Sequence, residues 1–204
     1  MELKNEIARD LLEIKAVQIK TEGYFTWTSG IESPIYCDNR LTMSYPSIRK
    51  KITAAFVEKL EQFNIKPDVI AGCATAGIPH AAWLADALDL PMVYVRSKPK
   101  GHGKGNQIEG KVERGQKAVV IEDLISTGGS SLESAKVLRD SGLEVSHVLA
   151  IFTYGLAVAT KQFQDEKIAM DTITSFDELL DVLFEDKEIT EQDRLKLLAW
   201  RNEL

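Results

Sequence analysis

Long apolar runs are absent from this 204-residue chain, and no stretch approaches the ~20 residues that a membrane-spanning helix needs. The opening Met1-Glu2-Leu3-Lys4-Asn5-Glu6 is charged and lacks the apolar centre of a secretory leader, so the expected location is the cytoplasm. Cysteine is scarce. Cys37 and Cys73 form neither a disulfide framework nor a zinc spacing, and their apolar neighbours suit small buried side chains. Excess positive charge is missing too: 25 Lys and Arg face 31 Asp and Glu, a net charge of -6. That balance argues against general nucleic-acid binding, which requires a basic face. No repeat or low-complexity segment appears. What remains is the composition of a globular protein, 44% hydrophobic and 27% charged, long enough for one domain with a small subdomain.

The apolar pattern predicts a helix over residues 2–15 and short strands around a turn within 24–38. A helix follows Ser44, with Pro46 in its first turn, where proline is tolerated. From there strands and helices alternate: strand 68–72, helix 77–88, strand 92–96, a glycine-lysine loop, strand 117–122, helix 128–141 and strand 145–152. The tail adds a helix near 156–163, a strand near 168–173, a helix opened by the capping box Ser175-Phe176-Asp177-Glu178, and a last helix after Thr190 that ends near Trp200. Continuous apolar strands separated by helices predict an α/β fold, a parallel sheet flanked by helices. In such sheets ligands bind beyond the carboxyl ends of the strands. Cys73, Arg96 and Glu122 all fall at or just past predicted strand ends.

The most informative stretch is Val119-Val120-Ile121-Glu122-Asp123-Leu124-Ile125-Ser126-Thr127-Gly128-Gly129-Ser130-Ser131. An apolar strand delivers two carboxylates, then hydroxyls and glycines opening into a helix. Ionised carboxylates only accept hydrogen bonds, which suits the vicinal hydroxyls of a ribose. The hydroxyls of Ser126, Thr127 and Ser130, together with the unpaired N–H groups of a helix start, suit its phosphate. Gly128 and Gly129 allow close approach of backbone. An ordinary strand–turn–helix connection explains the glycines and serines but not a carboxylate pair at the mouth of an anion site.

Ala71-Gly72-Cys73-Ala74-Thr75-Ala76-Gly77-Ile78-Pro79 is a small-residue turn that exposes backbone amides suited to a diphosphate; read alone, a plain tight turn explains it equally well. Arg96-Ser97-Lys98-Pro99-Lys100-Gly101-His102-Gly103-Lys104-Gly105 gathers cations in an acidic chain. It fits neither the dinucleotide fingerprint nor the P-loop. A solvated charged loop is the ordinary meaning of such a run, but its alternating glycines suit a lid over phosphates. His80 and His147 have no partner spacing and read as structural.

The ribose-phosphate stretch resembles the corresponding motif of the type I phosphoribosyltransferases, which bind phosphoribosyl pyrophosphate (PRPP). The spacing Arg96, Lys100, His102-Gly103 resembles the catalytic loop of the orotate phosphoribosyltransferases. Phe25-Thr26-Trp27-Thr28-Ser29-Gly30 with Ser33-Pro34-Ile35-Tyr36-Cys37-Asp38 resembles the hood of that same family. The resemblance runs over nearly the whole chain. It implies the type I phosphoribosyltransferase fold as one domain over 1–204, with a small N-terminal hood at about 20–42 and a core at about 43–204.

The resemblance also implies conversion of orotate and PRPP to orotidine 5'-monophosphate and pyrophosphate, in pyrimidine synthesis. Lys100, His102 and Asp123 are the implied catalytic residues. PRPP falls to Arg96, Lys100, His102, Glu122, Asp123, Leu124, Ile125, Ser126, Thr127, Gly128, Gly129 and Ser130, with Thr75 and Ala76 at the diphosphate. Orotate falls to Ser126, Tyr36 and Ile35. Mg²⁺ is the implied cofactor, held by substrate oxygens and water rather than by direct side-chain ligation. The implied assembly is a homodimer in which the cationic loop completes the neighbouring site, with no nucleic-acid or membrane partner.

Two positions depart from the family pattern. Thr28 stands where a ligand-binding lysine is common, and Ile151-Phe152-Thr153-Tyr154-Gly155 lacks an arginine that many relatives direct at the orotate carboxylate. A purine phosphoribosyltransferase would share the ribose motif but not this loop and hood. A PRPP-sensing regulator would be expected to add a basic or DNA-binding part. A kinase-like nucleotide binder would need a Walker lysine.

Overall fold

Alternation along the strands divides their side chains between two helical layers. The computed structural model describes residues 3–26, 32–98 and 107–204. Its main sheet contains β5 (Val69–Cys73), β6 (Met92–Val95), β7 (Ile108–Glu109), β8 (Lys117–Ile125), β9 (Glu144–Thr153) and β10 (Ala169–Ser175), in the order β10-β9-β8-β5-β6-β7. All neighbours run parallel except the β6–β7 edge. Ile70, Val119, Ile121, Leu149 and Ile151 pack in one core with α1 (Leu3–Glu13), α2 (Pro46–Gln62), α3 (Gly77–Leu88), α6 (Phe176–Glu185) and α7 (Glu191–Asn202). Val69, Ala71, Val120, Val148 and Ala150 pack in the other with α4 (Gly129–Asp140) and α5 (Ala157–Asp165). A parallel sheet covered on both faces is the arrangement the unalternating strands predict.

Before the sheet, β1 (Val17–Ile19) pairs antiparallel with β4 (Ile35–Cys37), and β2 (Phe25–Thr26) pairs with β3 (Glu32–Ser33). A 3-10 turn, Asn39–Ser44, follows. Asp38 caps it by accepting the Arg40 N–H. Pro46 opens α2 at N1, but no side chain caps that helix.

Three expectations need correction. β1 and β7 lie outside the sequence-based reading, because strands of two or three residues carry no usable alternation. β8 runs on to Ile125 rather than stopping at Glu122, since the backbone ladder continues through both carboxylates. The capping box expected at Ser175 is incomplete: Ser175 accepts the Glu178 N–H, while the Glu178 carboxylate meets the Ser175 hydroxyl. A full box forms at Thr190 and Asp193.

Candidate active site

The order of strands reverses around β5. Its sequence successor β6 lies on one side and the later β8 on the other, so a crevice opens beyond the carboxyl ends of β5 and β8. Those two strands pair as far as Gly72 and Ile121, whereas β8 stays paired with β9 through Ile125 and Thr153. Past Ile121, β8 therefore projects beyond its β5 partner. Side chains replace the missing ladder: the Asp123 N–H donates to Glu122 Oε1 at 3.0 Å, and Asn39 Nδ2 donates to the Asp123 carbonyl at 2.7 Å.

Burial dominates the electrostatics. Glu122 is 7% exposed, and desolvation pushes its carboxyl up to about 8. A hydrogen bond from Cys73 works against that rise, while the Asp123 charge adds to it. Asp123 is also raised by burial, opposed by its bond with Glu122 and more weakly by Arg40. The same buried surroundings push the Cys37 thiol and the Tyr154 phenol upward, with the Asp123 charge contributing. Such a carboxyl pair gains from any donor or cation brought to it.

Next along the chain, Gly128 caps α4 at φ +85°, with no side-chain cap. The first N–H groups of the helix lack intrahelical acceptors. Among the described residues, the hydroxyls of Ser126, Thr127 and Ser130 have no protein partner. Ser131 donates to the Gly128 carbonyl, and Ser134 donates to that of Ser130. Leu124 packs against the core and Ile125 is buried, so these two can offer a ligand only backbone. The two glycines differ. A Cβ on Gly128 would meet Phe163 at 2.8 Å in a left-handed backbone, while one on Gly129 would meet nothing within 4 Å. Gly128→Ala is expected to lower stability by about 1–3 kcal/mol. Gly129→Ala should leave thermal unfolding unchanged while weakening anion binding at the helix start. Paired melting and PRPP titrations check both.

Thr75 and Ala76 sit in the turn between β5 and α3, with a cis peptide between Ala74 and Thr75. Thr75 is exposed, and Ala76 caps α3 without a side-chain bond. Gly77 lets this turn lie against the β8 backbone: a Cβ there would overlap the Ile121 carbonyl oxygen and sit 3.1 Å from Glu122 Cα. The Thr75–Ala76 turn and the strand that carries Glu122 and Asp123 are thus in direct backbone contact. Cys73 Sγ, at the end of β5, lies 3.2 Å from Ser134 Oγ and ties α4 to the same junction.

Lys100 and His102 lie outside the described residues, as does the hood segment 27–31. The stem of the cationic loop is described. Arg96 follows β6, its Nη1 donating to Glu109 Oε1 at 3.3 Å and its N–H to the Gln107 carbonyl. The β6–β7 pairing brings the two ends of that loop side by side. Tyr36 is 41% exposed, its ring centroid 5.8 Å from that of Phe25. The Ile35 side chain is fully buried in the core, which leaves only its backbone for a ligand. At the strand end without an arginine, Arg201 of α7 donates to the Tyr154 carbonyl and pairs with Asp177. Asn39 was not among the sequence candidates. The polar Asp38-Asn39-Arg40 step directly after a strand is the signal that could have found it.

A cavity of about 660 Å³ opens at the opposite, amino edge of the sheet, beside Phe63, Lys117, Arg139 and His147. Helices α2, α4 and α5 end there, and their partial negative charge disfavours phosphate. Among the described residues no group of three His, Cys, Asp or Glu side chains could hold a metal.

Residues 44–179 match the Phosphoribosyl transferase domain family. Orotate phosphoribosyltransferase of Oceanobacillus iheyensis is 59% identical over 99% of this chain and 100% of its own. This chain belongs to the orotate phosphoribosyltransferase family. The crystal structure of orotate phosphoribosyltransferase from Aeropyrum pernix superposes with a TM-score of 0.77 at 29% identity, covering 90% of this chain and 99% of that one. Leishmania donovani UMP synthase gives a TM-score of 0.81 at 28% identity. It covers 98% of this chain, which spans only 42% of that longer protein. The fold is accordingly the type I phosphoribosyltransferase fold expected from the ribose motif. The family match begins just before α2, leaving residues 20–42 outside it, whereas the match to the full-length relative spans them as well.

Proposed function

We propose that this chain transfers the ribose 5-phosphate of PRPP to orotate, giving orotidine 5'-monophosphate and pyrophosphate. The observation that carries this reading is the Glu122-Asp123 pair at the β5/β8 crevice, Glu122 buried and Asp123 half-buried, directly followed by hydroxyls without a partner among the described residues and by an uncapped helix start. Glu122 and Asp123 accept the ribose hydroxyls, and Ser126 to Ser130 surround the 5'-phosphate. The backbone of Thr75 and Ala76 holds the diphosphate. Arg96, Lys100 and His102 supply positive charge as the bond from ribose C1 to pyrophosphate breaks. One such donor, present only in the transition state, is worth ~10²–10³ in rate. Orotate arrives as the N1 anion and needs no protein base; Ser126, Tyr36 and the Ile35 backbone meet it.

Two neighbouring carboxyls raised by burial gain from a cation brought near them, which supports Mg²⁺ carried by substrate oxygens and water. Glu122 and Asp123 would meet the ion only through the ribose hydroxyls and water, and it would neutralise the diphosphate. The working form is a homodimer whose loop completes the neighbouring site, in the cytoplasm. No described helix is long and apolar enough to cross a membrane.

Loss of orotate absorbance, dependent on PRPP and Mg²⁺, tests the reaction. Turnover of adenine or guanine in its place would refute the base assignment. Loop exchange between subunits is tested by mixing an inactive Asp123→Ala chain with an inactive Lys100→Ala chain. Partial recovery is expected, and its complete absence rules the exchange out.

A further inference from the structure

We infer that Asn39 is a positioning residue for the ribose clamp, a role that rests on the function proposed above. Its side chain stands in for the strand that β8 has lost. Where β5 no longer runs alongside, Asn39 Nδ2 takes the Asp123 carbonyl at 2.7 Å, across a sequence separation of 84. That bond fixes the peptide from which the Asp123 carboxylate hangs.

The turn carrying Asn39 is itself braced. Thr42 Oγ1 donates to the Asn39 carbonyl at 2.6 Å and lies 3.5 Å from His80 Nε2. His80 sits in the first turn of α3, just after the diphosphate turn. One hydrogen-bonded path therefore joins the hood-side turn, the carboxylate pair and the start of α3.

Stability alone is a poor reason to keep this amide. Asn39 is 1% exposed, and among the described residues its Oδ1 has no partner; nor does His80 Nδ1. The unpaired oxygen of a half-paired buried amide offsets much of what its one bond to the Asp123 carbonyl contributes. What the amide adds is a directed donor at Asp123.

The test uses the full-length protein and its orotate turnover. Asn39→Ala is expected to raise the KM for PRPP roughly tenfold, with kcat and the melting temperature less affected. In Asn39→Asp the new carboxyl faces a carbonyl oxygen: ionised, it repels that oxygen, and protonated, it donates to it. The groups around it are Glu122 and Asp123 on β8, Asp38 and Arg40 on its own turn, Cys37 on β4, Tyr154 after β9 and His80 on α3. Because these also titrate or carry charge, kcat/KM for PRPP is read as a ratio to the unmodified protein at each pH. That ratio should rise several-fold for Asn39→Asp from about pH 9 to about pH 6, and stay flat for Asn39→Ala.

An unchanged KM in Asn39→Ala, or flat ratios in both variants, overturns the inference. Should Asn39→Ala fail to fold, Thr42→Val, which removes the brace, must raise the PRPP KM in the same direction or the inference falls. If the unmodified protein fails to turn over orotate with PRPP, the functional reading itself is refuted. Normal turnover with indifferent variants refutes only the role of Asn39.

Discussion

Replacing Glu122 by glutamine is expected to stabilise the protein at alkaline pH while cutting its use of PRPP. The folded carboxyl is raised to about 8 by burial, against an ordinary value of 4.5. Between those values the folded state holds a proton that the unfolded state has released. The stabilising contribution is therefore complete below about pH 4.5 and lost as pH rises through 8, a cost of about 5 kcal/mol. Glutamine cannot ionise but keeps an oxygen for the Asp123 N–H and the Cys73 thiol. The unmodified protein should melt at progressively lower temperature from about pH 6 to about pH 9, and Glu122→Gln much less so. At pH 9, where the Glu122 carboxyl is ionised, losing charge-assisted acceptance of a ribose hydroxyl should lower kcat/KM for PRPP by about 10–100-fold. Equal melting curves across that pH range would show that Glu122 is not the buried acid described.

Gly77→Ala should damage both fold and binding. The added methyl overlaps the Ile121 carbonyl oxygen and approaches Glu122 Cα at 3.1 Å. Both obstacles are backbone, so no rotamer change relieves them. Either β8 or the turn must give way, at about 3 kcal/mol. Any displacement separates Thr75 and Ala76 from the carboxylate pair, and an error near 1 Å between two halves of a site costs about 10² in rate. Denaturant unfolding should show lowered stability, and PRPP-dependent turnover should fall by a larger factor than orotate affinity. A stable, fully active Gly77→Ala would mean that the turn and β8 are not in the contact described.

Legibility from the sequence followed locality. The stretch from Val119 to Ser131 could be read as strand, turn and helix start because its carboxylates, hydroxyls and glycines are contiguous, and one physical argument covers them all. The layered sheet could be read because Val69 to Ala71 and Val119 to Ile121 are apolar without a break. The role of Asn39 could not, because its partner is on another element and the contact uses a main-chain carbonyl, which carries no residue signature. The extension of β8 was hidden for a related reason: a backbone ladder tolerates Glu122 and Asp123, whereas hydrophobic pattern ends there. The contact of Gly77 with Ile121 was invisible because glycine in a turn is ordinary until the facing backbone is known.

The projecting end of β8 also divides the protein into regions of unequal local stability. Val119 to Ile121 are laddered on both sides, whereas Glu122 to Ile125 are laddered on β9 alone. A strand held along one margin opens at lower free energy, so its amides exchange with solvent sooner than those of a doubly held strand. Proton exchange should therefore be slow through Val119–Ile121 and faster from Leu124 onward. A ligand that spans from the carboxylates to the Thr75 turn would act as the missing neighbour and slow that exchange. Occupancy of the crevice then becomes readable as protection confined to a few amides, with the rest of the sheet unchanged.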